Sequence, residues 1–326
     1  MRGLGRALVA LIALASFAAA TATEAQPPAK RPRVGVLLLG TPDTDPVLPS
    51  FRAGLRELGY VEGKDVVLEY RFAEGKPDRL PDLARDLVNA KPDMVFAFGG
   101  DVAPFARAAT STIPIVMVVS VDPVQAGLVA SLARPGGNIT GVTFVSSDLA
   151  AKRLQLLKEM SPAVARIGVL WNPDHVDPEY RETQAAGRTL GVEVHSLEVR
   201  QPADFERAFR TAATARVEAI VVVSSRLMSI NRLLIAELAA RQRVPLVTGW
   251  GAWAQLGALF SYGPDLDVIV RDSATYVDKV LKGARPAEIP VQQPTKFDLI
   301  VNVKTAKTYG VTIPAGILAR ADKIIE

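Results

Sequence analysis

Two short clusters have residue types and spacings that could do chemistry. In the stretch RPGGNITGVT, Gly136 and Gly141 stand at the glycine spacing of a phosphate-binding loop. Thr143 falls where a metal-ligating hydroxyl would be, but Val142 replaces the lysine. Asn138-Ile139-Thr140 is also a glycosylation sequon. A phosphate loop needs a strand before it and a helix after it, so that the helix N-terminus faces the phosphates. Here the order is reversed, with a helix predicted at 123–133 and a strand at 139–144. The stretch therefore reads as a turn in which Pro135-Gly136-Gly137 stops the helix. The second cluster, Asp174-His175-Val176-Asp177, has metal-ligand types, but it follows a strand and Asn172-Pro173 and reads as a solvated loop. His195 alternates with Val192, Val194 and Leu197 along a strand and reads as structural or exposed.

Catalytic chemistry finds little support. The chain has no cysteine, which excludes disulfides, thiolate metal sites, a cysteine nucleophile and a lipid-modified cysteine. The first strand runs into Gly40-Thr41-Pro42 instead of a G-x-G-x-x-G turn, and no G-x-S-x-G elbow appears. No enzyme activity, cofactor or metal is expected.

What remains is binding chemistry, carried by small and polar residues that follow apolar strands. Thr41 and Asp43 come after the first strand, Gly100 and Asp101 after the third, Ser120 and Asp122 after the fourth, and Ser146 after the fifth. Further on stand Trp171 with Asn172, Ser224 with Arg226, Trp250, and Tyr262 with Asp265. In open α/β sheets ligands bind beyond the carboxyl ends of the strands. Asp122 or Asp265 could hold an ammonium group, Arg226 a carboxylate through paired N–H donors, and Trp171 or Trp250 could cover an apolar side chain. Asp122 before Pro123 and Asp101 before a helical run are also ordinary helix starts, and Trp253 at helical spacing reads as core.

The elements that must position these residues alternate. Strands are predicted at 33–39, 66–70, 94–98, 115–119 and 139–144, with helices at 49–58, 80–89, 102–109 and 123–133 between them. The pattern restarts with helices at 151–160, 179–190, 203–213, 230–241 and 266–281 among strands at 166–171, 192–199, 217–223, 245–248, 258–261 and 297–303. Short helical pieces are expected at Thr305 and Ala315. Two such series predict an α/β fold of two doubly wound, Rossmann-like parallel-sheet lobes. No long linker separates them, so short crossings near 144–148, 255–257 and 283–294 should join them as a hinge. The N-terminal lobe would be 31–145 with about 257–284, and the C-terminal lobe 146–256 with about 285–326.

Arg2 and Arg6 ahead of the apolar stretch 7–20, with small residues around Ala22 and Ala25, read as an export signal at 1–25. Of 38 basic and 34 acidic residues, its removal leaves 36 and 33, interspersed along the chain. Nucleic acid is not an expected partner.

Several ordered segments resemble the ABC-transporter substrate-binding family whose members bind tryptophan or tyrosine. They are LRELGYVEG from Leu55, IPIVM from Ile113, DPVQAGLVASL from Asp122, RPGGNITGVT, and GVLWNP from Gly168. YVDKVLKG from Tyr276 and PTKFDLIVNVKTAK from Pro294 complete the set. The resemblance implies a type I periplasmic binding protein, monomeric and periplasmic. It would capture an amino acid or small carboxylate between its lobes and deliver it to an ABC permease in the inner membrane. A sensor presenting its closed form to a membrane receptor would use the same lobes. Relatives that bind aromatic amino acids have Ser/Thr/Ala-Pro loops after the third strand and a Thr-Asp type pair where Ser225-Arg226 stands. Here the first loop is Gly99-Gly100-Asp101-Val102. These departures fall where the ligand is chosen, so the resemblance implies the role and not the substrate.

Overall fold

The five apolar runs of the first half assemble into one parallel sheet in the computed structural model, which describes residues 31–43, 45–144, 146–175 and 177–326. The expected signal at 1–25 lies outside these residues. The strands are β1 (Arg33–Leu38), β2 (Val67–Phe72), β3 (Met94–Phe98), β4 (Ile115–Val119) and β5 (Ile139–Thr143), in the order β2-β1-β3-β4-β5. β3, β4 and β5 are buried along their whole length, as strands with helices on both faces must be. The helices α1 (Leu48–Glu57), α2 (Leu80–Asn89) and α3 (Ala103–Ala109) connect them.

A seven-stranded sheet follows, in the order β12-β11-β10-β9-β8-β6-β7. Its strands are β6 (Arg166–Trp171), β7 (Glu193–Glu198), β8 (Ala219–Val222), β9 (Leu246–Thr248), β10 (Phe260–Gly263), β11 (Asp298–Asn302) and β12 (Lys323–Ile325). α4 (Ala150–Met160), α5 (Glu179–Leu190), α6 (Phe205–Thr214), α7 (Arg226–Ile230), α8 (Arg232–Gln242) and α9 (Ala252–Gln255) belong to this lobe. The sheet is parallel except where β11 runs antiparallel to β10. β12, which the sequence pattern did not suggest, extends it.

The chain returns once to the first sheet. α10 (Leu266–Leu281) lays Ile269, Val270, Ala274 and Val277 against Val34, Val36, Phe51 and Phe96. Residues 289–292 then run beside β5, where the Thr140 hydroxyl donates to the Ile289 carbonyl at 2.7 Å and Gln292 N–H to Gly141 at 3.0 Å. The expected boundary near 257 therefore shifts: β10 lies in the second sheet, and the crossing comes after it, at Pro264. α11 (Val303–Thr308) and α12 (Ala315–Leu318) finish the second lobe. One apolar cluster runs continuously from Leu37, Met117 and Val119 of the first sheet to Leu170, Ile220 and Val222 of the second.

The helix expected at 123–133 is absent; the segment is a series of turns. The Asp122 carboxylate accepts the N–H groups of Val124 and Gln125 at 2.8 and 3.2 Å, and Gly127 takes φ 68°. That left-handed residue ends any helix after one turn. Pro135-Gly136-Gly137 thus joins turns to β5 and stops no helix. The sequon Asn138 is buried, its amide donating to the carbonyls of Thr110 and Ile113 at 3.1 and 2.7 Å. Among the described residues no helix is long and apolar enough to cross a membrane.

Candidate functional site

Loops at the carboxyl ends of both sheets meet face to face and bury polar side chains between them. From the first lobe come Asp45 after β1, Asp101 after β3 and Ser120 after β4. From the second come His175 after β6, and Ser224 and Arg226 after β8. Asp45 accepts Val47 N–H at 3.2 Å as the chain turns into α1. Its other oxygen pairs with the Arg226 guanidinium across the lobes, both side chains being buried. The guanidinium also lies 4.7 Å from the centre of the Phe98 ring, a cation–π contact strengthened by the exclusion of water. Asp101 accepts the backbone N–H of Arg226 at 3.2 Å.

Gly99 permits this approach. It has φ 118°, and a Cβ there would collide with the Arg226 side chain and come within 2.7 Å of Asp101. At Gly100 a Cβ would stand 2.9 Å from the His175 ring and 2.5 Å from Val121. The two glycines that sequence placed after β3 serve close packing of one lobe on the other.

Ser120 makes the second bond between lobes. Its Oγ lies 3.0 Å from the Ser224 carbonyl and 3.1 Å from His175 Nε2. A hydroxyl has one proton. Ser120 donates it to the carbonyl and accepts from Nε2–H, which assigns the His175 tautomer and leaves Nδ1 bare. That nitrogen is buried and unpartnered. Burial pushes the imidazole below its ordinary pKa, against the raising pull of the Asp101 and Glu179 carboxylates.

Behind this surface, Ser146 donates to Ser224 Oγ at 2.7 Å. Arg153 and Glu179 form a fully buried pair. Arg153 also donates to the Tyr262 carbonyl at 2.9 Å and to Ser146 Oγ at 3.1 Å, while Glu179 accepts Ser224 N–H at 3.0 Å. Asp177 accepts Glu179 N–H at 2.8 Å. Its carboxyl is pushed up to about 8, first by burial and then by the neighbouring Glu179 carboxylate.

Beside the Asp45–Arg226 pair opens a groove of about 360 Å³, lined by Pro46 and Val47 of the first lobe and by Ser229, Trp250 and Asp265 of the second half. Ser229 links the two regions, since Arg226 Nη1 reaches its Oγ at 3.5 Å. The Trp250 indole N–H is buried without a partner.

The structure thus brings together Gly100, Asp101, Ser120, Ser146, Ser224 and Arg226, with Trp250 and Asp265 at the adjoining groove. The others are engaged elsewhere. Trp171 stacks on Tyr180 of α5 at 4.2 Å and donates to Ser196 at 2.8 Å. Tyr262 offers its carbonyl to Arg153 and its ring to Phe297 at 6.5 Å. Asn172 Oδ1 accepts Asp174 N–H at 3.0 Å. Asp122 holds its turn, and Asp265, although it lines the groove, uses its carboxylate to cap α10 by accepting from Asp267 and Val268. The Thr41 carbonyl accepts Asp45 N–H at 3.1 Å, and Asp43 is exposed. Trp253 is core.

One expectation is overturned. His175 is no solvated loop residue: it is 3 % exposed and bonds to the opposite lobe. The turn that buries it is local, with His175 N–H donating to the Asn172 carbonyl at 3.1 Å. Among the described residues no group of three or more ligand-type side chains could hold a metal ion. Nor do Ser120, His175 and Asp177 form a nucleophilic triad. The acid lies 3.8 Å from the same Nε2 that faces the serine, so it does not orient the ring through Nδ1 as a triad requires.

A family model described as ABC transporter substrate binding protein matches residues 36–325. The tyrosine-binding protein of Clostridioides difficile (strain R20291) is 26% identical over 282 residues, 85% of this chain and 81% of that protein. Among solved structures, a conserved domain protein from Vibrio cholerae superposes with a TM-score of 0.83 at 29% identity, covering 90% of this chain and 100% of the other. An ABC domain in complex with L-Trp from Streptococcus pneumoniae gives 0.81 at 26% identity, with the same two coverages. The two α/β lobes and their crossings are those of a type I periplasmic binding protein. The match runs through both sheets and the loops between them, and the chain belongs to the ABC transporter substrate-binding protein family.

Proposed function

We propose that this protein captures a small amino compound, an amino acid or related carboxylate, between its lobes and delivers it to an ABC permease of the inner membrane. The export signal read at 1–25 supports action in the periplasm. The observation that carries the reading is the set of buried polar atoms, drawn from both lobes, that still have bonding capacity: Asp101 Oδ1, His175 Nδ1, Arg226 Nε and the Trp250 indole N–H. Buried polar atoms without partners are costly, at ~1–3 kcal/mol each. A ligand that satisfies atoms on both lobes favours the closed arrangement over an open one, which is the differential affinity closure needs. The relatives' binding of tyrosine and L-Trp supports the same class of ligand.

The test is to purify the protein from periplasm, denature it, and identify released small molecules by mass spectrometry. The identified compound, added back at ~100 times its Kd, should stabilise the fold by ~2.7 kcal/mol. If no amino acid or small carboxylate is released and none raises the melting temperature, the reading is wrong.

A further inference from the structure

We propose that the cleft recognises its ligand through an amine seated on Asp101 and His175, and that Asp45 withholds Arg226 from the ligand's carboxylate. This rests on the cleft being the ligand site, as argued above.

The bonding capacity left in the cleft decides the point. Among the described residues the buried cations are Arg153 and Arg226. Arg153 is fully engaged, with Glu179, Ser146 and the Tyr262 carbonyl on its three nitrogens. Arg226 has Nη2 on Asp45, Nη1 towards Ser229 and its face on Phe98. Nε has no partner, but the charge of the guanidinium is already met by the buried Asp45 carboxylate, so a ligand carboxylate there would stand beside a second anion with no free counter-charge. The acceptors are in the opposite condition. Asp101 keeps one oxygen unpartnered, and His175 keeps a bare Nδ1 while 3 % exposed. Both lie by the same Gly99-Gly100 turn, where the two glycines approach Asp101 and the His175 ring. An acceptor pair of this kind suits an ammonium, which has three donors and no acceptor.

The formal charges agree. Asp177 is uncharged, its carboxyl being pushed up to about 8 by burial. Asp45, Asp101 and Glu179 face Arg153 and Arg226, so one carboxylate lacks a counter-charge, and an ammonium supplies it. The groove also contains Arg232, Lys296 and Lys323. Arg232 is half-buried and gives Nη1 to the Ser229 carbonyl at 3.3 Å, Lys296 is paired with Asp298 at 2.8 Å and Lys323 is exposed. Charges in water add little to affinity. A ligand carboxylate would therefore rest in the solvated groove without selecting the ligand.

The experiment is calorimetric titration of the full chain with matched compounds: L-tyrosine and tyramine, L-tryptophan and tryptamine, L-arginine and agmatine. An acid without the amine, 3-(4-hydroxyphenyl)propionate, completes the set. In at least one pair the amine should bind within about threefold of its amino acid, and the deaminated acid should not bind. Amino acids that bind more than about tenfold tighter than every matched amine overturn the inference and leave the proposed function standing. If none of these compounds binds, the inference falls for these side chains, and the proposed function is decided by the release experiment above. Asp45→Asn gives a second arm, with its fold checked by circular dichroism. It releases Arg226 and should raise the preference for the amino acid over the amine about tenfold; an unchanged ratio in a folded variant overturns the role given to Asp45. Should that variant not fold, Asp101→Asn decides: it must weaken both members of a binding pair alike.

Discussion

Ser120 and His175, 55 positions apart, bond across the two lobes at 3.1 Å, and the serine's proton goes to Ser224 on the same opposing surface. One hydroxyl thereby ties the end of β4 to the ends of β6 and β8. Ser120→Ala leaves the Ser224 carbonyl and the His175 Nε2–H buried without this partner. The variant should lose about 1–3 kcal/mol, measured by urea unfolding. A loss below about 0.5 kcal/mol would show that the hydroxyl is not a tie between lobes.

Glu179 holds Arg153 where neither touches water. Removing one partner of such a pair strands the other charge, so Glu179→Ala should cost about 3–5 kcal/mol. Glu179→Gln preserves shape but not charge and should fall between. Equal midpoints for wild type and Glu179→Ala in thermal unfolding would contradict the pairing.

Gly99 is held at φ 118° with the Arg226 side chain against its α-carbon. Gly99→Ala adds both backbone strain and a clash at the junction of the lobes. Its effect should appear in shape before helix content. Small-angle scattering should report a larger radius of gyration while the far-ultraviolet spectrum is retained. An unchanged radius would mean that the lobes do not depend on this approach.

Two buried groups give stability opposing pH slopes. His175 has a folded pKa below its ordinary value of 6.5. Below about pH 6.5 the unfolded chain takes a proton that the fold refuses, and stability falls with falling pH. Asp177 behaves inversely. Its folded pKa is about 8 against 3.8, so the fold holds a proton that the unfolded chain releases, and this contribution is lost as pH rises through 8. From His175's folded pKa up to 6.5 the two slopes oppose; above 6.5 only Asp177 acts. Stability should decline by up to ~1.4 kcal/mol per unit from about pH 6.5 to 8. Asp177→Asn, which keeps the oxygen facing Glu179 N–H, should flatten that limb; denaturation at pH 6.5, 7.25 and 8 gives the comparison.

Sequence revealed the strands because their burial on both faces writes continuous Val, Ile and Leu runs, and it pointed to Ser120, Ser224 and Arg226, which meet between the lobes, because the loops after parallel strands converge on one edge. It failed at 123–133. Leu128, Val129 and Leu132 have helical spacing, but Gly127 and the Asp122 turn govern the backbone there. It passed over Asp45, two residues beyond Asp43, because nothing local says which acid of a loop will meet an arginine 181 positions away. His175 was misplaced for a related reason. Asp174, His175 and Asp177 are polar, as in a solvated loop, and the Ser120 hydroxyl that His175 meets across the lobes stands 55 positions away. Trp171, Tyr262 and Asn172 sit at the right strand ends but spend their bonding within their own lobe.

α10 has a consequence for how this protein comes off the ribosome. The first sheet has all its strands once residue 143 has emerged, yet the helix that covers Val34, Val36 and Phe96 spans Leu266–Leu281. At ordinary rates of synthesis the nascent sheet waits on the order of ten seconds with that apolar face open. The N-terminal third cannot mature in order of appearance. It is completed only after β6 to β10 have been made, so a chaperone has that interval in which to hold the chain unfolded.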